Sequence, residues 1–215
     1  MDRDDARVVT SISTIMGMTM TDSAKVPTRR LVIGISGASG TIYGIRLLEL
    51  LRKTPIETHL VMSRSAEVTA AYETDMKIAA IRALADVAWR QEDIAASISS
   101  GSFRTMGMIV APCSIRSMSE ISSGVTSTLL TRAADVMLKE RRRLVLMVRE
   151  TPLHTGHLRT MTQLSEMGAI IAPPVPAFYS KPLSLTDMVD HTIGRVLDLF
   201  DIDLGTVRRW KDTGN

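Results

Sequence analysis

The stretch LVIGISGASGTIYG, Leu31–Gly44, constrains the fold of this chain more than any other. Its opening residues are apolar or glycine and rich in β-branched side chains, which is typical of a strand buried on both faces. The apolar run stops at Ser36–Gly40, where every residue is small, and apolar residues then recur at helical spacing over Thr41–Arg52. A strand, a small-residue loop and a helix in this order can bring backbone N–H groups to a phosphate. The stretch therefore predicts a βα unit with a candidate anion site at its turn.

The glycine spacing of this loop excludes the two commonest nucleotide motifs. Glycines stand at 37, 40 and 44, which matches neither the dinucleotide pattern G-x-G-x-x-G nor the triphosphate pattern that ends in Gly-Lys-Ser/Thr. A tight turn with nothing bound remains the alternative at this point.

The rest of the chain alternates between strand and helix patterns. Further strands are predicted over residues 56–63, 106–111, 144–148 and 169–172, and helices over residues 64–71, 77–90, 115–124, 127–141, 153–167 and 183–200. Alternating elements of this kind predict an α/β fold with a doubly wound parallel sheet. We expect residues 30–215 to form a single domain, and residues 1–29 to form a disordered or extended N-terminal leader.

Composition limits the partners and the compartment. The net charge of +3 is too small to indicate a nucleic-acid partner by itself. The single cysteine, Cys113, excludes an internal disulfide and favours a reducing, cytoplasmic setting. No uncharged apolar run reaches the roughly 18–20 residues that a membrane span needs, so a membrane partner is not expected.

In a doubly wound sheet, ligands bind at the carboxyl ends of the strands. The segments predicted to meet there are Ser36–Ser39, Ser63, Pro112–Ser114, Arg149–Glu150 and Pro173–Tyr179. Hydroxyl groups, backbone amides and an arginine are well suited to phosphate, because the guanidinium offers a permanently charged, two-pronged donor.

Several of these residues also have simpler interpretations. Arg149 and Glu150 can form an ion pair at a strand end, and Cys113 can be a packed thiol instead of a nucleophile. His154 and His157 have metal-compatible spacing, but no neighbouring ligand completes a set, so no metal is expected. The basic run 139–143 suits a solvated helix end or a phosphate contact better than RNA.

Five stretches carry a resemblance to a known family. They are SGASGTIYGIRLLELL, ETD at 73–75, APCS at 111–114, RAADVMLKERRRLVLMVRETPLHTGHL and PPVPAFYSKP, all within residues 30–210. In these stretches the chain resembles the flavin prenyltransferases, the UbiX-like group of flavoproteins. It is closest to the branch associated with aromatic-acid decarboxylases.

The resemblance implies a flavodoxin-like or Rossmann-like, three-layer αβα fold that holds FMN. It implies a homo-dodecamer with active sites between subunits and a metal-independent reaction. In that reaction dimethylallyl phosphate is joined to reduced FMN, and a UbiD-type decarboxylase receives the prenylated FMN. A flavin-dependent decarboxylase (or a subunit of one) and a non-catalytic FMN carrier are the alternatives.

The resemblance also implies a set of site residues. Those for FMN are Gly37, Ala38, Ser39, Ser63, Ser114, Ile115, Arg116, Ser117 and Arg149. Those for the prenyl phosphate are Arg132, Lys139, Glu150, Tyr179, Arg195 and Trp210, with Trp210 as an aromatic wall beside an allylic cation. The implied catalytic residues are Ser39, Glu73, Lys139 and Glu150, of which all but Lys139 handle protons. The chain departs from the family pattern at Arg116, where lysine is commoner, and at Glu120, where a small residue is usual.

Overall fold

The computed structural model describes residues 28–205 and 207–210. The predicted leader over residues 1–29 lies outside the described residues except for its last two. The strands are β1 (Arg29–Ile35), β2 (Ile56–Met62), β3 (Val87–Trp89), β4 (Gly107–Cys113), β5 (Arg143–Val148) and β6 (Ile170–Ile171). The α-helices are α1 (Thr41–Leu51), α2 (Arg64–Glu73), α3 (Ile78–Arg82), α4 (Ile115–Ser122), α5 (Leu129–Lys139), α6 (Thr155–Glu166) and α7 (Leu185–Asp198). Two short 3₁₀ turns cover Ser97–Ser99 and Phe178–Ser180.

The six strands form one sheet in the order β3-β2-β1-β4-β5-β6, and every pairing is parallel. The chain builds outward from β1 to β3 on one side and then from β4 to β6 on the other. The two halves meet between β1 and β4, and such a reversal opens a crevice at the carboxyl ends of the strands. The predicted doubly wound parallel sheet is confirmed.

The side chains of β1 divide the core into two layers. Leu31, Ile33 and Ile35 point to the face that α1 and α7 cover, whereas Val32 points to the face that α4, α5 and α6 cover. Residues 31–35 are fully buried on both sides of the sheet, as the continuous apolar run predicted. The result is the three-layer αβα arrangement.

The prediction of a helix over residues 77–90 is wrong in its second half. Helix α3 ends at Arg82, and the strand β3 follows, paired with β2. The carboxylate of Asp86 accepts hydrogen bonds from the backbone N–H and the hydroxyl of Thr58, at 2.7 and 2.8 Å. The indole of Trp89 donates to Nδ1 of the buried His59 at 3.1 Å. These partners lie about thirty residues earlier in the chain, so a local periodicity cannot reveal them.

We expect Asp86→Ala to lower the free energy of unfolding by about 2 kcal/mol, because it leaves the buried N–H of Thr58 without its acceptor. Urea unfolding of both proteins measures the loss. Glu92→Ala is the matched control, since Glu92 forms only an exposed, 4.0 Å pair with Arg90 and its loss should change stability little. An equal effect of the two substitutions would contradict this account of β3.

None of the helices described over residues 28–205 and 207–210 is long and apolar enough to cross a membrane.

Candidate active site

A cavity of about 640 Å³ lies at the carboxyl ends of the strands. Its walls come from the turns that follow β1, β2, β4 and β5, from the segment just after β3 and from the first turn of α5. The lining residues are Gly37, Ser63, Arg64, Ser65, Val68, Gln91, Ser114, Ile115, Arg116, Ser117, Glu120, Thr128, Leu130 and Glu150. Four of the five predicted strand ends therefore meet here. The fifth, Pro173–Tyr179 after β6, is not among the lining residues.

Two helix N-termini open into the cavity, and each has a serine cap. The Ser63 hydroxyl accepts from the N–H of Ala66 at 3.1 Å at the start of α2. The Ser114 hydroxyl accepts from the N–H of Ser117 at 3.2 Å at the start of α4. Both helix ends carry a partial positive charge, and an arginine follows each capping serine by one or two residues. This corner of the cavity is suited to a phosphate group.

The strands that flank the crevice are tied together by Ser36. Its buried hydroxyl donates to the carbonyl of Pro112 at 3.0 Å and accepts from the N–H of Ser114 at 2.7 Å. The next residue must be glycine, because a Cβ at Gly37 would lie 2.5 Å from Oγ of Ser65 and 3.0 Å from its carbonyl carbon. The close approach of these turns sets the width of the cavity floor.

The N-terminus of α1 is occupied by a side chain of the protein. The carboxylate of Glu73 accepts from the N–H of Gly40 at 3.0 Å and from the N–H of Thr41 at 2.9 Å, and the Ser39 hydroxyl also bonds to it. The expectation that this helix end binds a phosphate is therefore wrong, since Glu73 takes the two amides. The structure instead joins Ser39 and Glu73 in one hydrogen-bonded unit beside the small-residue loop.

The environment of Glu73 makes its contribution to stability depend on pH. Burial by itself would raise the pKa of this carboxyl, but the hydrogen bonds from Ser39, Thr41 and Gly40 outweigh it and lower the pKa. A carboxyl whose pKa is lower in the folded state stabilises the fold above its unfolded pKa and loses that effect as the pH falls.

We expect Glu73→Gln to lower the free energy of unfolding by about 1 kcal/mol at pH 7, as the loss of a helix cap does. Since the variant cannot titrate, the difference from the parent should shrink as the pH falls below the ordinary value of 4.5. Urea unfolding between pH 7 and pH 3 checks this. A difference that grows toward acid would show that the sign is wrong.

The turn after β5 carries Arg149 and Glu150, both exposed. The N–H of Arg149 donates to the carbonyl of Cys113 at 3.0 Å, which fixes the turn against β4. An oxygen of Glu150, which lines the cavity, accepts from the N–H of Thr151 at 3.0 Å. Arg149 lies near Tyr43: burial raises the pKa of this phenol, and the positive charge of Arg149 opposes the rise. No ion pair joins Arg149 to Glu150 among the described residues, and Glu150 points into the cavity.

The surroundings of Cys113 and His154 indicate structural roles, and those of His157 do not complete a metal site. Cys113 is completely buried, and burial raises the pKa of its thiol to about 12, which suits a packed side chain. Nδ1 of His154 accepts from the N–H of Gly156 at 3.0 Å at the start of α6. The described residues contain no cluster of three or more potential metal ligands.

Five of the predicted site residues lie away from the cavity within one chain. Lys139 ends α5 and pairs with Glu140, and Arg132 on the same helix pairs with Asp135 at 2.7 Å. Arg195, near the end of α7, pairs with Asp198 at 2.6 Å. The Tyr179 ring packs edge-on against the Trp210 ring, with 5.4 Å between the centroids. The cavity of one chain therefore collects six of the nine residues predicted for FMN, whereas Ala38, Ser39 and Arg149 are not among its lining residues. Most of the residues predicted for the prenyl phosphate lie elsewhere.

Several cavity residues were not predicted from the sequence. Gln91 follows β3 and accepts from the N–H of Arg64 at 3.3 Å, so the missed strand also hid this residue. Glu120 pairs with Arg116 one helical turn earlier at 2.8 Å, a spacing that was visible in the sequence. Thr128 caps α5 at the cavity wall.

Known proteins agree with this architecture. A family model described as Flavoprotein matches residues 19–208. The flavin prenyltransferase UbiX of Escherichia coli K12 is 62% identical over 177 residues, which cover 82% of this chain and 94% of that protein. The crystal structure of AnUbiX in complex with FMN and dimethylallyl pyrophosphate has a TM-score of 0.84 and 53% identity, and the match covers 86% of this chain and 98% of that one.

A second solved structure adds an assembly state. The dodecameric FMN-dependent UbiX-like decarboxylase from Escherichia coli O157:H7 has a TM-score of 0.83 and 49% identity, with 85% of this chain and 99% of that chain covered. Identity at this level over nearly the whole domain confirms the resemblance drawn from the sequence motifs. The chain belongs to the flavoprotein family and, within it, to the UbiX-like flavin prenyltransferases.

Proposed function

We propose that this protein is a flavin prenyltransferase, which joins the dimethylallyl group of dimethylallyl phosphate to reduced FMN and supplies prenylated FMN to a UbiD-type decarboxylase. The observation that carries the proposal is the cavity at the strand ends, with two serine-capped helix N-termini beside Glu150. The 62% identity with the flavin prenyltransferase of Escherichia coli K12 supports the same reaction.

The cavity fits a flavin mononucleotide. Its volume of about 640 Å³ lies within the range of roughly 300–1,000 Å³ typical of ligand pockets. Ser63, the turn Ser114–Ser117 and Arg116 would hold the phosphate, because their hydroxyls, amides and guanidinium meet in one corner. Gly37, Ala38 and Ser39 would line the flavin side, with Arg149 as a further contact. Reduced FMN, when bound, supplies the electron-rich ring that accepts the prenyl group.

The second half of the site requires neighbouring subunits. Lys139 stands ten residues beyond the cavity end of α5, a distance of about 15 Å along the helix. It cannot serve the cavity of its own chain from there. A homo-dodecamer, the assembly of one solved relative, would allow Lys139, Arg132, Arg195 and Tyr179 to complete the sites of adjacent copies. We place the prenyl phosphate among these residues.

The charges of these residues suit the leaving group. Phosphate is a poor leaving group, and cations fixed around it stabilise the charge that develops as its bond to carbon breaks. Trp210, whose ring packs edge-on against the ring of Tyr179, would face the dimethylallyl cation, which the electron-rich face of an aromatic ring attracts.

Proton transfer falls to two carboxylates with different surroundings. The hydrogen bonds that Glu73 accepts lower its pKa and keep it ionised, so this carboxylate can orient the Ser39 hydroxyl and take up a proton from it only transiently. Glu150 lies free in the cavity wall, with one oxygen oriented by Thr151. Two carboxylates on different elements, one at the end of α2 and one in the turn after β5, allow a proton to be removed at one point and delivered at another.

Anaerobic incubation with reduced FMN and dimethylallyl phosphate, followed by mass spectrometry of the flavin, tests the proposal. We expect the flavin mass to increase by one dimethylallyl group, and a parallel incubation with dimethylallyl pyrophosphate identifies the preferred donor. An unmodified flavin recovered from folded protein with either donor would contradict the proposal.

Decarboxylation is the second candidate, because one solved relative is named a decarboxylase. It predicts release of carbon dioxide from an aromatic or peptidyl substrate by the FMN-loaded protein alone, without a prenyl donor. A protein that binds FMN and does neither would be a carrier. The flavin mass and a carbon dioxide assay together separate the three activities.

A further inference from the structure

The charged residues of the cavity wall cancel one another. Four of the lining residues carry a formal charge: Arg64 and Arg116 are positive, and Glu120 and Glu150 are negative. Most ligand sites for a phosphate present an excess of positive charge, because the phosphate monoester carries between about −1.5 and −2 charges at pH 7. This cavity offers helix N-termini and hydroxyls to the phosphate, but no net charge from its side chains.

Of the two carboxylates that cancel the positive charge of the wall, Glu150 has a proposed role in proton transfer and Glu120 has none. It lies on α4, and its side chain is only 20% exposed, whereas that of Arg116 is 81% exposed. The two are joined at 2.8 Å between Nε of Arg116 and Oε1 of Glu120. The carboxylate is therefore held at the cavity wall, six residues beyond the capping Ser114, which is about 9 Å along the helix.

We propose that Glu120 is a determinant of flavin release: its ion pair with Arg116 weakens the hold of the cavity on the flavin phosphate. The pair has two consequences for a bound phosphate. It engages one of the two arginines of the wall, and it places a like charge near the phosphate corner. Each effect lowers the affinity for phosphorylated flavin and leaves that for a flavin without phosphate unchanged.

Weaker binding of the flavin phosphate favours turnover if the proposed function, on which this inference rests, is correct. A transferase whose modified flavin serves a second enzyme must let a phosphorylated flavin go at every turnover. Tight retention of the product would limit the rate, so a carboxylate at the phosphate corner favours exchange over storage.

Binding of oxidised FMN and of riboflavin, measured by flavin fluorescence at one fixed ionic strength, tests the inference without catalysis. We expect Glu120→Gln to lower the Kd for FMN about threefold to tenfold, through a lower dissociation rate, and to leave the Kd for riboflavin within twofold. Glu120→Ala, which suits a helix interior, should give the same result if the glutamine variant does not fold.

Glu67→Gln is the matched control. Glu67 also pairs with an arginine, Arg82, at 2.6 Å and is similarly placed at this end of the sheet, but it lines the neighbouring cavity. Its substitution should change neither Kd. An unchanged Kd for FMN in the Glu120 variants, or an equal change for both flavins, would overturn the inference while leaving prenyl transfer possible. If the parent protein bound neither flavin, the proposed function itself would be wrong.

Discussion

Lys139→Met is expected to lower the rate of prenyl transfer at least about a hundredfold and to leave FMN binding within twofold of the parent. The loss follows because one fixed donor to a developing negative charge contributes about 10²–10³ to catalysis. FMN binding is spared because Lys139 lies at the end of α5 opposite the cavity of its own chain. Steady-state rates by mass spectrometry and fluorescence titration measure the two quantities.

The control for the lost charge is Lys53→Met, at an exposed position beyond the end of α1. It should keep the rate of the parent. A rate near that of the parent in Lys139→Met would show that the lysine does not reach a prenyl phosphate, in this chain or in a neighbour.

Mixed oligomers test whether the lysine acts across subunits. A Lys139→Met chain and a Glu150→Gln chain each lack one component, but a shared site can take its lysine from one chain and its glutamate from the other. Random co-assembly should then restore about a quarter of the parent activity, because each intact component is present with a probability of one half. If both residues served the same chain, every site would lack one of them and no activity would return.

The carboxyl ends of the strands could be predicted from the sequence, because local patterns determine them. Ser63 and Ser114 each follow a buried apolar run and precede a helical pattern, so both were placed correctly at the cavity. Glu150 was placed there for the same reason. In a doubly wound sheet the strand ends meet whatever the remaining sequence is.

Residues that depend on distant contacts could not be predicted in this way. The strand β3 is held by Asp86 and Trp89 through partners on β2, and its helical-looking sequence concealed both the strand and Gln91 at its end. Glu73 accepts hydrogen bonds at the start of α1 although it lies more than thirty residues further along the chain. Arg195 was predicted for the site only through the family resemblance, and within one chain it pairs with Asp198. Lys139 was also a candidate phosphate contact as part of the basic run 139–143, but within one chain it pairs with Glu140.

Glu150→Gln is expected to keep FMN affinity within twofold and to lose at least about a hundredfold in turnover, the usual contribution of a general acid or base. The substitution keeps the shape of the side chain, and the amide oxygen can still accept from the N–H of Thr151, so the turn after β5 should not move. Only the capacity to exchange a proton is lost.

Glu166→Gln, at the exposed end of α6, is the control and should turn over like the parent. Rapid single turnovers with reduced FMN and dimethylallyl phosphate separate this defect from slow product release. Parent-like single turnovers in Glu150→Gln would show that the proton passes through another group, with the pair Ser39–Glu73 the next to be substituted.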